Sequence, residues 1–406
     1  MTLSTGTGQD FGTYGAITDY LNESFAANMV RYAPNGTAPL FGLTGMLPTE
    51  RCVSIEHGYF SKTMVFPSVT IDNGGAAYGA GTTVLVVDST TNTLAGDLLR
   101  SHVSGEVIRV ASVDSSTQIT VVRSVGDVAA ASGSVANDAV LYNIGNAFEQ
   151  ASNAPASRVM NPTRVTNYTQ IFRNSWALPG TMQALQPITG GNLVAESRQD
   201  CGMFHSADIE KALFFGQKSQ STISGKYFTT MSGIIEHVRA LAAAGNTTTA
   251  GGTTTYSQLE TALEGCFDTI TDGRTGNDRL LFVGGTARKV INNIGRLSGQ
   301  YQIVDGQTNF GMQFQTFKTS RGTFRMIEHP LFNSNADWAK QAIAVDLPAI
   351  KPKYLRTTQN IEFGMDGRYV QDGADAVGGT LTTELTLEVI NPSAMAVVYG
   401  LTAAAA

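Results

Sequence analysis

The feature that most constrains the fold is a lysine-free stretch between Lys62 and Lys211, in which short β-branched runs recur at regular spacing. Ser, Thr, Asn, Asp and Gly fill the breaks between the runs, as turns require. Five short strands with such turns predict a small β-barrel or β-sandwich, which we place at residues 81–144. The runs are Thr83–Val87, Asp97–Arg100, Val107–Val113, Ile119–Arg123 and Ala139–Ile144.

Strand-like sequence flanks this predicted domain on both sides. His57–Val69 precedes it and Thr163–Leu178 follows it. The β domain therefore interrupts another structure, and the two flanking segments are expected to pair as a long hairpin. Unpaired strand edges attract other strands, so we expect such a hairpin to lie against a neighbouring chain.

Three further patterns organise the rest of the chain. Asn192–Gln217 lacks proline and is polar around most of its girth, which predicts a long helix that lies on a sheet. Residues 231–347 alternate helical and strand-like runs, including a helix from Ser257 with Glu260 at capping-box spacing. Leu381–Val389 alternates apolar with Thr and Glu residues, which predicts a strand with one polar face.

The N-terminal region is less regular. Asp19 precedes Leu21, Phe25 and Met29, whose spacing predicts a short amphipathic helix. Pro39–Pro48 is apolar and is predicted to be extended, either as a loop on its own domain or as an arm on a neighbour.

Motifs for catalysis or metal binding are absent from the sequence. It contains no G-x-S-x-G elbow, no H-E-x-x-H pair and no phosphate loop ending in Gly-Lys-Ser/Thr. Phe282–Thr286 reads as a plain strand-to-helix turn, or alternatively as a weak anion cradle. Cys201 and Cys266 fall within helical patterns and are interpreted as core residues. We therefore predict no enzymatic activity, no cofactor and no metal.

Charge and hydropathy exclude two further classes of protein. The net charge of −6 argues against a strongly basic nucleic-acid wrapper. The longest apolar stretch, Ala394–Ala406, is shorter than the roughly 20 residues of a membrane span, and we predict no membrane association. Only 15% of residues are charged, so we expect much of the surface to be covered by other copies.

In the order of its predicted elements, the sequence resembles the major capsid proteins of tailed bacteriophages with the Hong Kong 97-type fold. It is most similar to the subgroup in which a β domain is inserted in the extended loop. The Asn-Tyr-Thr-Gln-Ile-Phe stretch and the Asp-Ile-Glu-Lys-Ala-Leu helix are the most specific parts of the resemblance. The segments that carry it are Ala95–Arg100, Gly105–Val110, Ile144–Glu149, Asn167–Arg173 and Asp208–Gly216.

The resemblance implies an α+β fold with an N-terminal arm, an extended loop, a peripheral domain with a spine helix, and an axial domain, plus the small all-β inserted domain. The arm would be residues 1–45, and the extended loop with its flanking strands 46–80 and 145–188. The peripheral domain would be 189–230 and 351–406, and the axial domain 231–350.

The implied function is that of a structural major capsid protein in the virion. It would self-assemble into homo-pentamers and homo-hexamers of an icosahedral head that encloses double-stranded DNA without sequence-specific binding. Assembly would take place in the host cytoplasm, with portal, scaffold and decoration proteins as further partners. We expect a separate scaffold or none, and shells without covalent cross-links.

Inter-subunit contacts are expected from the arm and the extended loop. The residues predicted to make them are Phe41, Leu43, Phe60, Phe66, Arg164, Tyr168, Phe172, Arg173 and Trp176. Two alternatives stay open at this stage. One is the shell of an encapsulin-like cellular compartment, and the other is a β-rich virion fibre or decoration protein.

Overall fold

The computed structural model describes residues 38–45, 50–62, 66–131, 135–185, 192–269, 277–297, 308–309, 312–313, 315–363 and 375–404. The chain forms two compact units: unit 1 comprises Met1–Tyr59 and Val165–Ala406, and unit 2 comprises Phe60–Arg164. No helix within the described ranges is long and apolar enough to cross a membrane. The helix predicted after Asp19 lies outside the described residues.

The helices, in chain order, are α1 (Pro39–Thr44), α2 (Gly180–Ala184), α3 (Leu193–Phe215), α4 (Ile234–Leu241), α5 (Tyr256–Glu264) and α6 (Gly285–Leu297). The first strands are β1 (Glu50–Arg51), β2 (Glu56–Ser61), β3 (Ser68–Thr70), β4 (Val84–Val86), β5 (Asp97–Ser101), β6 (Val107–Ser115), β7 (Gln118–Val122), β8 (Val140–Asn146), β9 (Thr163–Tyr168), β10 (Gln170–Pro179), β11 (Ser219–Ile223) and β12 (Lys226–Thr230).

The remaining strands are β13 (Thr247–Thr249), β14 (Thr253–Thr254), β15 (Asp278–Val283), β16 (Thr308–Asn309), β17 (Met312–Gln313), β18 (Gln315–Lys318), β19 (Thr323–Glu328), β20 (Ala342–Val345), β21 (Ile350–Phe363), β22 (Ala376–Val389), β23 (Ala396–Tyr399) and β24 (Ala403–Ala404).

Unit 2 is a closed, antiparallel six-stranded barrel. Its strand order is β3-β8-β5-β6-β7-β4, and an antiparallel bridge between Ile71 and Val87 joins the two end strands. Around that bridge, the Asp72 amide donates to Val86 and the Asp88 amide donates to Thr70, each at 3.0 Å. Since the ends of the sheet are paired, the barrel leaves no long free edge.

The interior of the barrel is apolar, as the β-branched runs predict. Its buried side chains are Val69, Ile71, Tyr78, Leu85, Val87, Leu99, Ile108, Val110, Ile119, Val121, Val135 and Leu141. The five predicted strands correspond to β4–β8 and are confirmed. The sixth strand, β3, is predicted as part of the flanking hairpin, because His57–Val69 reads as one continuous strand. In the structure β2 ends at Ser61, and Ser68–Thr70 belongs to the barrel.

In unit 1, helix α3 lies beside a four-stranded sheet of order β1-β21-β22-β10. The helix confirms the prediction for Asn192–Gln217, since the Asn192 side chain caps its N-terminus and Gly216 is its C-cap. Strand β22 pairs antiparallel with β21 on one side and with β10 on the other. Buried residues of α3, including Ile209, Leu213 and Phe214, join one apolar cluster with Leu385 and Leu387 of β22.

A second sheet of unit 1 has six strands in the order β13-β23-β20-β15-β19-β18. Helices α5 and α6 pack on it through an apolar cluster that includes Leu263, Ile291 and Phe324. Strands β18 and β19 pair antiparallel and form a hairpin around Arg321. The predicted cap of α5 is wrong by two residues, because Thr255 and Gln258 form the capping box.

Two predictions about the N-terminal half are wrong. Residues 39–44 form helix α1 instead of an extended segment, because Pro39 presets the first helical φ and a carboxylate from α3 accepts the next two backbone N–H groups. The two flanking segments do pair, as β2 with β9, but the predicted length of the hairpin is wrong, because within the described residues the ladder is limited to these two short strands. Beyond Thr169 the return strand becomes β10 and pairs with β22.

One hairpin was not predicted from the sequence. Strands β11 and β12 form a two-stranded antiparallel hairpin directly after α3. Ser224 and Gly225 both have positive φ, at 50° and 74°, as a tight two-residue hairpin turn requires.

Candidate subunit-contact surfaces

The Asn-Tyr-Thr-Gln motif is a buried hydrogen-bond junction between β9, β10 and the start of α4. Asn167 donates to the carbonyls of Ser232 and Leu387, at 3.1 and 2.7 Å, and its Oδ1 accepts the Ser232 amide at 2.8 Å. Gln170 accepts the Met231 amide at 3.1 Å. Buried backbone groups need hydrogen-bond partners. These two side chains supply partners for the backbone groups of Met231 and Ser232, which precede α4.

The Asp-Ile-Glu-Lys-Ala-Leu segment contributes a fully buried carboxylate, Glu210. It accepts the amides of Leu40 and Phe41 at 2.8 and 2.7 Å, and it contacts Nε2 of His329 at 2.7 Å. Helix α1 is therefore capped by a residue of α3. Negative charge at a helix N-terminus is favourable. On the other side of the contact, the ring of Phe332 stacks on the ring of His329, with 4.4 Å between the ring centroids.

The polar face that the alternating pattern predicts for β22 is present, and it is buried. Glu388 lies 2.5 Å from Nε2 of His57 and 3.6 Å from Nζ of Lys353. Glu384 accepts from Nε of Arg356 at 2.7 Å and from the Thr169 hydroxyl at 3.1 Å. Cationic side chains from other strands thus compensate the desolvation of these carboxylates.

The motif segments of unit 2 meet at one corner of the barrel. Gly96 has φ +94°, and a Cβ there would lie 2.5 Å from the ring of Phe148. The Ala147 amide donates to Gly96 at 2.9 Å, and Nε of Arg109 donates to Ala147 at 3.1 Å. Elsewhere in the barrel, Glu106 and Arg123 form a buried bidentate pair at 2.7 and 2.8 Å.

Some of the predicted contact residues pack inside their own chain. Leu43, Phe172 and Trp176 are buried, and Phe41 packs against the same apolar cluster as Leu43 and Phe172. Tyr168 is partly buried, with Nζ of Lys218 4.7 Å from its ring centroid. Their contact with a neighbouring copy stays a prediction.

The other predicted contact residues are exposed. Phe60 is 71% and Phe66 82% exposed, which is unusual for large apolar side chains. Arg164 and Arg173 are also exposed. The structure adds Val53, at 92% exposure, which the sequence analysis did not single out. Its position in the sequence, between the apolar arm and β2, is the feature from which a contact role for Val53 could have been predicted.

Chemistry at the remaining candidate positions is limited. Among the described residues, no group of three or more His, Cys, Asp or Glu side chains could hold a metal ion. The Gly285 amide at the start of α6 donates to Oδ1 of Asn333 at 2.7 Å. This side chain therefore takes the place that an anion would have in the alternative interpretation of Phe282–Thr286. Cys201 and Cys266 are buried core residues, as predicted.

Burial changes the ionisation of two histidines. It lowers the pKa of His237 to about 4, and the nearby Lys218 charge acts in the same direction. Burial also lowers the pKa of His205, whose two ring nitrogens contact Asn174 and Thr383 at 2.7 Å. Both groups join elements of unit 1, and neither lies at an open cleft suited to catalysis.

Comparison with known proteins gives one matching family and one curated relative. The family model described as SU10 major capsid protein matches residues 3–402. A major capsid protein of Pseudomonas phage PaMx41 is 34% identical over 391 residues, covering 93% of this chain and 92% of that protein.

Two solved structures are similar to this chain at low sequence identity. A structure from Mycobacterium phage Bobi has 10% identity and a TM-score of 0.47, covering 94% of this chain and 96% of that one. The holo-SrpI encapsulin complex from Synechococcus elongatus has 11% identity and a TM-score of 0.42, covering 61% of this chain and 80% of that one.

Proposed function

We propose that this chain, which belongs to the SU10 major capsid protein family and is a phage major capsid protein, has the Hong Kong 97-type fold and builds an icosahedral head from pentamers and hexamers. Its place is therefore the virion. The compartment-shell and fibre alternatives are not retained, because the matching family covers nearly the whole chain.

The observation that carries the assembly proposal is the exposure of large apolar side chains near the extended loop. Phe60, Phe66 and Val53 are 71%, 82% and 92% exposed. Burying one such side chain contributes about 2 kcal/mol, and a closed shell offers that burial on every copy. These residues are the proposed centre of the contacts with a neighbour.

The other predicted contact residues divide between two roles. Arg164 and Arg173 are exposed and can form the polar rim of such a contact. Phe41, Leu43, Tyr168, Phe172 and Trp176 are partly or fully buried, and we assign them to holding β9, β10 and α1 in position for it.

The further features of the proposed function concern DNA and partner proteins. The net charge of −6 favours enclosure of double-stranded DNA without tight or sequence-specific binding. The chain would act structurally, with no catalysis of its own. Head assembly would take place in the host cytoplasm, together with portal, scaffold and decoration proteins.

Electron microscopy of the purified chain, with sedimentation velocity on the same sample, tests this proposal. Closed shells, or rings of five and six copies, are the expected result. A fibrous trimer, or a chain that remains monomeric also when the neighbouring genes of its phage are coexpressed, contradicts it.

A further inference from the structure

The hairpin β11–β12, residues 219–230, stands out because it is ordered yet mostly exposed. Every residue of β11 is exposed, and so are the first three residues of β12. An isolated two-stranded hairpin is only marginally stable in water. This one is fixed to its own chain at the base, where Thr229 donates to Thr169 at 2.6 Å and Lys218 donates to Thr166.

The two faces of the hairpin differ. Directly opposed residues of antiparallel strands lie on the same face, so the pairs Gln220–Thr229 and Thr222–Tyr227 share one face. Thr229 on this face donates to Thr169, between β9 and β10, whereas Thr230 on the other face donates only to Gln217, two residues before the hairpin. We therefore call the face of Thr229 the inner one at its base.

The outer face carries the pairs Ser221–Phe228 and Ile223–Lys226. Ile223 is 63% exposed and Phe228 43% exposed, and they lie diagonally across the two strands. Tyr227, at the tip of the inner face, is 76% exposed. A hairpin tip with three exposed apolar side chains is unusual for a free surface.

Charge indicates what covers this tip. Residues 217–230 contain two lysines and no acidic residue, whereas the whole chain carries a net charge of −6. The hairpin is therefore opposite in sign to the rest of the molecule. An acidic surface with apolar residues attracts it, and complementary charge also orients the contact.

We propose that the outer face of β11–β12, with Ile223, Lys226 and Phe228, docks on a second copy of this chain. The inference rests on the proposed self-assembly and extends it to a contact outside the arm and the extended loop. A second copy is the chosen occupant because it supplies a surface of opposite net charge, at the local concentration of a shell.

Photo-crosslinking tests the occupant directly. A photoreactive phenylalanine analogue replaces Ile223 in the full chain, and a matched variant carries it at Gln220 on the inner face. Shells are assembled from equal amounts of isotopically heavy and light chains, so that mixed-mass cross-links identify contacts between copies. We expect mixed-mass cross-links from position 223 and same-chain cross-links from position 220.

A second measurement concerns the strength of the contact. The double variant Ile223→Ser, Phe228→Ser is expected to raise the protein concentration needed for half-assembly at least tenfold. Lys226→Glu is expected to raise it as well, and this increase should become smaller at high salt, which screens the charge. Thr222→Ser, on the inner face, serves as the control and should leave it unchanged. Thermal unfolding of the unassembled variants should match that of the parent chain.

The outcomes separate the two proposals. Shells that form with only same-chain cross-links from position 223, or with an unchanged half-assembly concentration in the double variant, overturn the hairpin contact alone. A parent chain that forms no oligomer, also when the neighbouring genes of its phage are coexpressed, contradicts the proposed assembly and the hairpin inference with it.

Discussion

Nε2 of His329 lies 2.7 Å from Oε1 of Glu210, and both side chains are fully buried although 119 positions separate them in the sequence. The same carboxylate accepts two backbone N–H groups of α1. One residue of helix α3 therefore fixes both helix α1 and the residue that directly follows β19. This arrangement leads to the first prediction.

Glu210→Gln should destabilise the chain by about 2–3 kcal/mol, because an amide places a donor against a backbone N–H donor in a buried site. Helix α1 should also become sensitive to limited proteolysis. Urea unfolding and proteolysis of the unassembled chain measure the two effects. Glu264→Gln, at a partly exposed position of α5, is the control. Equal stability of the two variants would contradict the role of Glu210.

Asn167→Asp should destabilise the chain by about 3 kcal/mol near neutral pH, because the new carboxylate oxygen faces the carbonyls of Ser232 and Leu387. Protonating that carboxylate restores a donor, so the loss should shrink as the pH falls through its titration. Unfolding at several pH values measures this. Asn293→Asp, on the exposed face of α6, should show neither effect.

Gly96→Ala should cost more than Gly105→Ala, although both glycines have positive φ. A Cβ at Gly105 meets nothing within 4 Å, whereas one at Gly96 meets the Phe148 ring. We expect about 1 kcal/mol for Gly105→Ala from backbone strain, and about 1–2 kcal/mol more for Gly96→Ala from displacing the ring. Calorimetry of the full chain compares them. Similar values for both would refute the contact with Phe148.

The pH dependence of stability should depend on His237, whose pKa is lowered to about 4 by burial. The unfolded chain binds this proton near pH 6.5 and the folded chain only near pH 4, so stability is complete above pH 6.5 and falls as the pH drops towards 4. The loss amounts to about 3 kcal/mol. His237→Gln should flatten this part of the profile. A variant profile parallel to that of the parent would rule out His237.

Phe66→Ser should weaken assembly and leave the folding of the single chain unchanged, because this side chain is 82% exposed. Losing about 2 kcal/mol of burial per contact corresponds to about a 30-fold weaker contact. Sedimentation velocity across a concentration series measures it. Leu297→Ser, at a 53% exposed position of α6, is the matched control. Assembly at the parent concentration would exclude Phe66 from the contact.

The sequence predicted those parts of the fold whose causes are local. Helix α3 carries its own caps, Asn192 and Gly216, and the barrel strands β4–β8 carry their own β-branched runs and turns. Helix α1 could not be predicted in this way, because the carboxylate that stabilises its first turn is 170 positions away from Leu40.

In the candidate site, too, the features with local causes could be predicted and those that depend on distant residues could not. The alternation along β22 was recognised, but its polar face is buried because Lys353, Arg356 and His57 come from other strands to meet it. The hairpin β11–β12 had only the Ser224–Gly225 dipeptide as a local signal. Exposure, which distinguishes Phe66 from Phe172, depends on the tertiary structure alone.

The pairing of β3 with β8 has a consequence for how such a chain changes over generations. These are the first and last strands of the barrel, and Ser68 lies directly opposite Tyr142. The polypeptide thus enters the barrel at the same end of this ladder from which it leaves, since β3 begins at Ser68 and β8 runs on from Tyr142 to Asn146. Two chain ends on the same side of a closed barrel make the segment between them suited to transfer from one gene to another as a single piece.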